Sequence, residues 1–478
     1  MGSGVLTMHV LAIDQGTSST KAMVVDDAGT VLAIAEVSVD VVAGAGGSVE
    51  VSPDDLLESV LTSGRQAVAG AGVRIEAIGL ANQGETILAW DRATGAPRSA
   101  GIVWQDRRSV DICDQLQADG FAGRLKAITG LELDPYFIAP KVAWLRPQVG
   151  KDPVITTTDT WLLHHLTGAF CTDVATASRS LLLDLDQAAW SDEACAIFRL
   201  DPGELATIVA NDHVIGETTA FSHDPTPICG TCVDQQAALF AESCITTGEA
   251  KCTYGSGAFL LASTGSKPTR SKNGLVGCVA WKVGGVTTWC LDGQVYTAGS
   301  AVTWLQHVGL ITNATDIDGL VAAAEPGTET FVPGLAGLAA PFWKPSAKGA
   351  FTGLSLATGR AELVAAVIEG LAASVAFLAR AAGSDLGSPL TRLRVDGGLT
   401  RSTALLQMQA DLAQLPIEVY PSPHATAHGV AAFARLGAGV GPFPAWRPAL
   451  VVEPSISADE ADSRLSRWYA AASATLAL

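Results

Sequence analysis

The chain has 478 residues, 48% of them hydrophobic and 16% charged, with a formal net charge of -18. That length exceeds one typical core and calls for two or more domains, and the acidic balance argues against a nucleic-acid partner, which needs a basic surface. Nine cysteines scattered over so long a chain fit reduced thiols in a cytoplasm better than a disulfide framework. No window reads as a membrane span, and the start of the chain has neither the basic nor the long apolar region of a secretion signal.

Near the N-terminus, "VLAIDQGTSSTKAMVV" (10–25) reads as a strand, a tight turn and a second strand. The first strand ends on Asp14, and the turn carries Gly16 with the hydroxyls of Thr17, Ser18, Ser19 and Thr20. Turn N–H groups and hydroxyls can surround phosphate oxygens, and an acid at the strand end can hold a hydrated Mg²⁺ beside them. A hairpin merely rich in turn formers has the same composition. Lys21 follows no second glycine, which excludes a P-loop.

Further along, Leu56, Leu57, Val60 and Leu61 form a helical apolar face, as do Leu363, Val364, Val367, Ile368 and Leu371. Alternation of such helices with short apolar strands predicts an α/β protein. The polar "TTGEAK" (246–251) marks a boundary, and "KCTYGSGAFLLASTG" just beyond it folds a second strand pair around Gly255, Ser256 and Gly257. The opening pattern thus recurs once per half, predicting two related domains that face one another. Asp234 stands between the apolar "PICGTCV" and the helical "QQAALFAE", at a strand end over a helix start. A carboxylate there can orient a substrate hydroxyl and accept its proton late in phosphoryl transfer. It can equally serve as a helix N-cap.

Three stretches, "GIVWQDRRS" (101–109), "VDQQAALF" (233–240) and "RVDGGLT" (394–400), resemble the FGGY carbohydrate kinases and, within them, the glycerol branch. "GAFTGLSLATGRAELVAAVIE" (349–369) fits the family's second signature, whereas "YFIAPKVAWL" keeps Tyr136, Lys141 and Trp144 of the first but has Ile138 where a small residue is usual. The resemblance implies two actin-like (ribonuclease H-like) α/β domains with a catalytic cleft between them, over residues 8–245 and 246–440, and a tail over 441–478 that closes with a helix. ATP and a small polyol or sugar would meet in the cleft. Thr17, Ser18, Ser19, Gly255 and Ser256 would hold phosphates, and Gly299, Gly397, Gly398 and Ser402 would line the nucleotide site. Asp14 and Asp234 would hold Mg²⁺, with Asp234 the catalytic base. Substrate groups carry over to Glu85, Trp104, Tyr136, Asp234, Gln235 and Phe259. One member is missing, because "NQGET" has Gly84 where the family pattern has Arg. Glu85 would then lack a cationic partner, and a space the size of a long side chain would suit a longer polyol or a ketopentose.

The resemblance leaves a dimer or tetramer open, and its rival is a non-catalytic nucleotide sensor on the same fold. Retention of Asp14, Asp234 and the polar substrate set speaks against the sensor. "CGTC" (229–232) and "HATAH" (424–428) have metal-ligand spacing but lack companion ligands, and read as structural.

Overall fold

A computed structural model describes residues 8–476, so the last two residues of the predicted tail lie outside the described residues. Its first large sheet is built from β1 (Val10–Gln15), β2 (Ser19–Val25), β3 (Val31–Ser38), β4 (Ala77–Asn82), β5 (Gly216–Thr218) and β6 (Thr226–Val233), in the spatial order β5-β6-β4-β1-β2-β3. β1, β2 and β3 form an antiparallel meander, β4 and β6 add parallel to β1, and β5 closes the edge antiparallel. The period-2 side-chain alternation sends Leu11, Ile13, Ala22 and Val24 to one face and Val10, Ala12, Met23 and Val25 to the other. Helix α1 (Pro53–Ala71) packs on the first face through Leu56, Val60 and Ala67. Ser52 starts it, its hydroxyl accepting from the Asp55 N–H at 3.2 Å with Pro53 in the first turn. The opposite face is covered by α5 (Ala425–Gly437), which lies far later in the chain. That helix sits so close that a Cβ at Gly79 would come within 2.5 Å of the Val430 carbonyl oxygen.

The second sheet repeats the plan. Its strands are β7 (Ala250–Tyr254), β8 (Ala258–Gly265), β9 (Val276–Val283), β10 (Val286–Val295), β11 (Leu393–Gly397), β12 (Ile417–Val419) and β13 (Leu450–Val452), in the order β9-β10-β8-β7-β11-β12-β13. β7, β8 and β10 form the antiparallel meander, β11 and β12 continue parallel from β7, and β13 closes antiparallel. Strand for strand this matches the first sheet, with β9 added at the edge. The repeat read from the two glycine-hydroxyl hairpins is therefore a repeat of topology.

Helices α3 (Arg360–Leu386), α4 (Thr403–Ala413) and α6 (Ala458–Thr475) share one core with this sheet. By length and composition α3 could cross a membrane, which corrects the sequence reading that no window could. Its apolar residues, Val364, Val367, Leu371, Val375 and Leu378 among them, are buried in the protein's own core. α6 is the closing amphipathic helix, burying Leu465, Trp468 and Ala472 while its charged residues face outward. A smaller five-stranded sheet (Val41–Ala43, Val49–Val51, Gly101–Ile102, Ile87–Trp90, Val154–Thr157) flanks the first half and carries the loops that reach the site.

Candidate active site

Asp14 lies near the end of β1, and Asp234 opens α2 (Asp234–Ala241) where β6 ends, two strands away in the same sheet. The N-cap position of α2 belongs to Val233, and no side chain caps it, so Asp234 is not the helix cap that a lone acid there could have been. Its carboxylate instead accepts from the Gln235 N–H at 2.7 Å and from Gln235 Nε2 at 3.1 Å. The other end of that amide is fixed in turn, since Lys251 Nζ donates to Gln235 Oε1 at 2.6 Å and to Thr253 Oγ1 at 2.7 Å. Lys251, fully buried on β7, thereby ties the second half to the carboxylate of the first.

Burial raises the Asp234 carboxyl to about 6 against the Gln235 hydrogen bond, and the charge of Glu85 adds to the rise. Burial, then the charge of Asp234, raises Asp14 to about 7, while Lys21 opposes. Asp396 on β11 is also raised by burial. Carboxyls raised chiefly by burial, with neighbouring acids adding to the rise of Asp14 and Asp234, form a site that gains when a cation enters. Among the described residues no three His, Cys, Asp or Glu side chains converge as a metal cage. Mg²⁺ needs no such cage, being commonly held by one or two carboxylates together with substrate phosphates. Asp14 and Asp234 would hold it, and it would supply charge neutralisation at the transferred phosphoryl group.

The proposed substrate residues converge. Trp104 meets Tyr136 edge-on with ring centroids 5.7 Å apart and Phe259 at 6.2 Å, and Glu85 is buried beside them. The loop bearing Tyr136 is pinned by Lys141, whose ammonium donates to the carbonyls of Pro135, Tyr136 and Phe137. Three acceptors match its three donors.

The expectation for Gly84 needs correction. Glu85 does not lack a cation: Arg179 Nε lies 2.6 Å from Glu85 Oε1, and Arg179 Nη1 lies 2.6 Å from Asp292 Oδ2. A Cβ at Gly84 would touch Val233 Cγ2 at 3.3 Å. The φ of Gly84, +74°, is the left-handed conformation that favours glycine.

Across the cleft, a cavity of about 670 Å³ is lined by Gly255, Ser256, Gly299, Gly398 and Ser402, with Thr303, Asp318 and Arg401. The helix Gly299–His307 starts against the hairpin turn, with the Gly299 N–H donating to the Gly255 carbonyl at 2.9 Å. Ser402 caps α4, and its own hydroxyl donates to Asp318 at 2.5 Å. Gly397 stands just behind this lining at φ +95°, where a Cβ would strike the Tyr254 carbonyl oxygen at 2.4 Å. Thr17, Ser18 and Ser19 are not among the residues lining this cavity. Thr17 Oγ1 accepts from Trp104 Nε1 at 2.9 Å, Ser19 Oγ donates to Glu36 at 2.7 Å, and Ser18 is exposed. Ser19 thus spends its proton on Glu36, whereas Thr17 accepts and keeps its own proton for another partner while bracing the aromatic cluster at Trp104.

Sequence reasoning missed Arg179, Lys251, Asp292, Gln294 and Tyr296. Arg179 sits in "TASRS" with no flanking signal. "CLDGQVY" (290–296), however, alternates polar with apolar residues inside a strand otherwise bound for the core, a pattern that marks two distinct environments.

Two half-chains of one topology, a cavity of about 670 Å³ in the second half and a carboxylate–aromatic cluster at their seam define a two-domain α/β phosphotransferase. The chain belongs to the FGGY family of carbohydrate kinases: the family's N-terminal domain matches residues 9–241 and its C-terminal domain residues 250–438. It is 39% identical to a glycerol kinase of Bordetella parapertussis, over 96% of this chain and 95% of that protein. It is 40% identical to a glycerol kinase of Thermus brockianus, over 92% of each. A crystal structure of Plasmodium falciparum glycerol kinase with ADP superposes with a TM-score of 0.90 at 29% identity, covering 98% of both chains. A xylulose kinase structure from Lactobacillus acidophilus, at 20% identity and a TM-score of 0.87, shares the fold.

Proposed function

We propose that this chain transfers the γ-phosphoryl group of ATP to a primary hydroxyl of a small polyol or sugar, with Asp234 as the base. The observation that carries this reading is the setting of Asp234: a half-buried carboxylate held by Gln235, which Lys251 fixes in turn, and coupled electrostatically to Glu85 and to Tyr136, around which Trp104 and Phe259 pack. Aromatic faces would cover the substrate's carbons while Glu85 and Asp234 accept from its hydroxyls. An ionised Asp234 orients the attacking hydroxyl and takes its proton as charge develops, since a carboxylate cannot deprotonate a free alkanol beforehand. The nucleotide would lie in the 670 Å³ cavity, its phosphates directed from Gly255 and Ser256 toward Asp14. A pyruvate-kinase-coupled ADP assay over glycerol, tetritols, pentitols and ketopentoses tests the reading. ADP release that depends on one of these acceptors, and falls by about a hundredfold or more in Asp234→Asn, is expected. Absence of acceptor-dependent ADP release with all of them would reject it.

A further inference from the structure

β10 has two faces with different fates. Leu291 and Val295 enter the core of the second half, and Gly293 lies against Leu275 and Leu378. The alternate residues Asp292 and Gln294, with Tyr296 just beyond the strand, point the other way, into the seam between the halves. Each adjoins a residue of the proposed substrate pocket. Asp292 is bridged to Glu85 through Arg179. Gln294 is directly opposite Phe259 in the β8–β10 ladder, so the two side chains share a face. The Tyr296 ring centroid lies 6.0 Å from that of Tyr136.

All three are at least nine-tenths buried, yet Asp292 Oδ1, Gln294 Oε1 and the Tyr296 hydroxyl have no hydrogen-bond partner. Their other contacts hold them in place. Asp292 Oδ2 takes Arg179 and Gln294 Nε2, the latter at 2.7 Å, and the Arg107 guanidinium lies 4.8 Å over the Tyr296 ring. Buried polar groups without partners are costly, and Asp292 Oδ1, Gln294 Oε1 and the Tyr296 hydroxyl, the last beside the Arg107 guanidinium, call for donors from a ligand or from water. A polyol supplies donors of this kind, one on each carbon.

Building on the kinase reading above, we propose that Asp292, Gln294 and Tyr296 form a second subsite of the substrate pocket. It would accept hydrogen bonds from hydroxyls of a polyol or sugar chain longer than three carbons, so that the preferred acceptor is a tetritol, a pentitol or a ketopentose. Arg179 positions the subsite by holding Asp292 and Glu85 at a fixed separation. Specificity here comes from unpaired protein acceptors, which a three-carbon substrate leaves unsatisfied and a longer one fills.

The test measures kcat/KM for glycerol and for tetritols, pentitols and ketopentoses in the unaltered protein, Gln294→Ala and Tyr296→Phe. Tyr296→Phe keeps the ring and its packing. The unaltered protein is expected to prefer a longer acceptor over glycerol. Each substitution is expected to lower the ratio of kcat/KM for that acceptor to kcat/KM for glycerol by about tenfold, a typical value for one lost hydrogen bond. A purely structural role would lower both rates together and leave the ratio alone, and this result would overturn the subsite. Glycerol preferred over every longer acceptor would also overturn the subsite while leaving the kinase reading intact. No turnover with any acceptor would overturn both.

Discussion

Replacing Asp234 with Asn should make the unliganded protein more stable while removing its activity, and the size of the gain follows from the burial of the carboxyl. Its pKa in the fold is about 6 against the ordinary 3.8, because burial and the Glu85 charge disfavour ionisation. Between those two values the folded protein keeps a proton that the unfolded chain has released, so stability falls as pH rises through this window. Above pH 6 the full cost is present. A shift of roughly two units corresponds to about 3 kcal/mol at 1.36 kcal/mol per unit. Asn keeps an acceptor for the Gln235 N–H but loses the bond from Gln235 Nε2, which returns about 1 kcal/mol. The expected net gain is about 1–2 kcal/mol at pH 8, vanishing or reversing at pH 4. Urea unfolding of both proteins at the two pH values, without nucleotide or Mg²⁺, measures it. Turnover of the variant should fall by about 10² to 10⁴-fold, the usual share of a general base. A variant that is no more stable than the parent at pH 8 would refute the electrostatic account of this site.

Three further outcomes follow from the same carboxyl cluster. Asp14→Asn should raise the Mg²⁺ concentration needed for half-maximal rate and lower turnover, and unchanged half-saturation in a magnesium titration would remove Asp14 from the metal site. Because Asp234 accepts a proton only when ionised, kcat/KM should decline as pH drops through about 6, and a flat profile from pH 5 to 8 would count against it as base. Gly84→Arg should lower stability by about 1–2 kcal/mol, the usual cost of a side chain at a left-handed position. It should not raise kcat/KM for glycerol, since Arg179 already pairs with Glu85; a clear rise with an unchanged melting temperature would show that Gly84 is a true vacancy.

What the sequence made legible was what repeats or alternates locally. The two hairpins, the strand-to-helix step at Asp234 and the apolar faces of α1 and α3 each lie within about twenty residues and have a period of their own. The substrate aromatics could be carried over from quoted motifs, and they meet. Pairings between distant segments were not legible, because nothing local marks them. Arg179 reaches Glu85 from 94 residues along the chain, and Thr17 reaches Trp104 from 87. The hydroxyls of the first turn show the limit most clearly. Composition identified them as donors, and only the fold assigns Thr17 and Ser19 to Trp104 and Glu36. Likewise the Gly84 motif announced a lost guanidinium, while its replacement came from a different part of the chain.

Carboxyls are numerous along the seam. Glu85, Asp292, Asp14, Asp234, Asp396 and Glu242 lie along it within electrostatic reach of one another, with Arg179, Lys251, Lys141 and Arg394 buried among them, and burial raises every one of these carboxyls for which a shift is resolved. An interior with surplus carboxylates and unpaired acceptors is costly by itself. The polyol would bring hydroxyl donors and Mg²⁺ positive charge, part of which the anionic phosphates of the nucleotide take up. Binding of polyol and cation should tighten the two halves around the site, because Arg179 and Lys251 already join residues of one half to residues of the other and the added donors satisfy acceptors that the empty protein leaves unpaired. The same excess of acceptors that weakens the empty protein is what makes the filled one close.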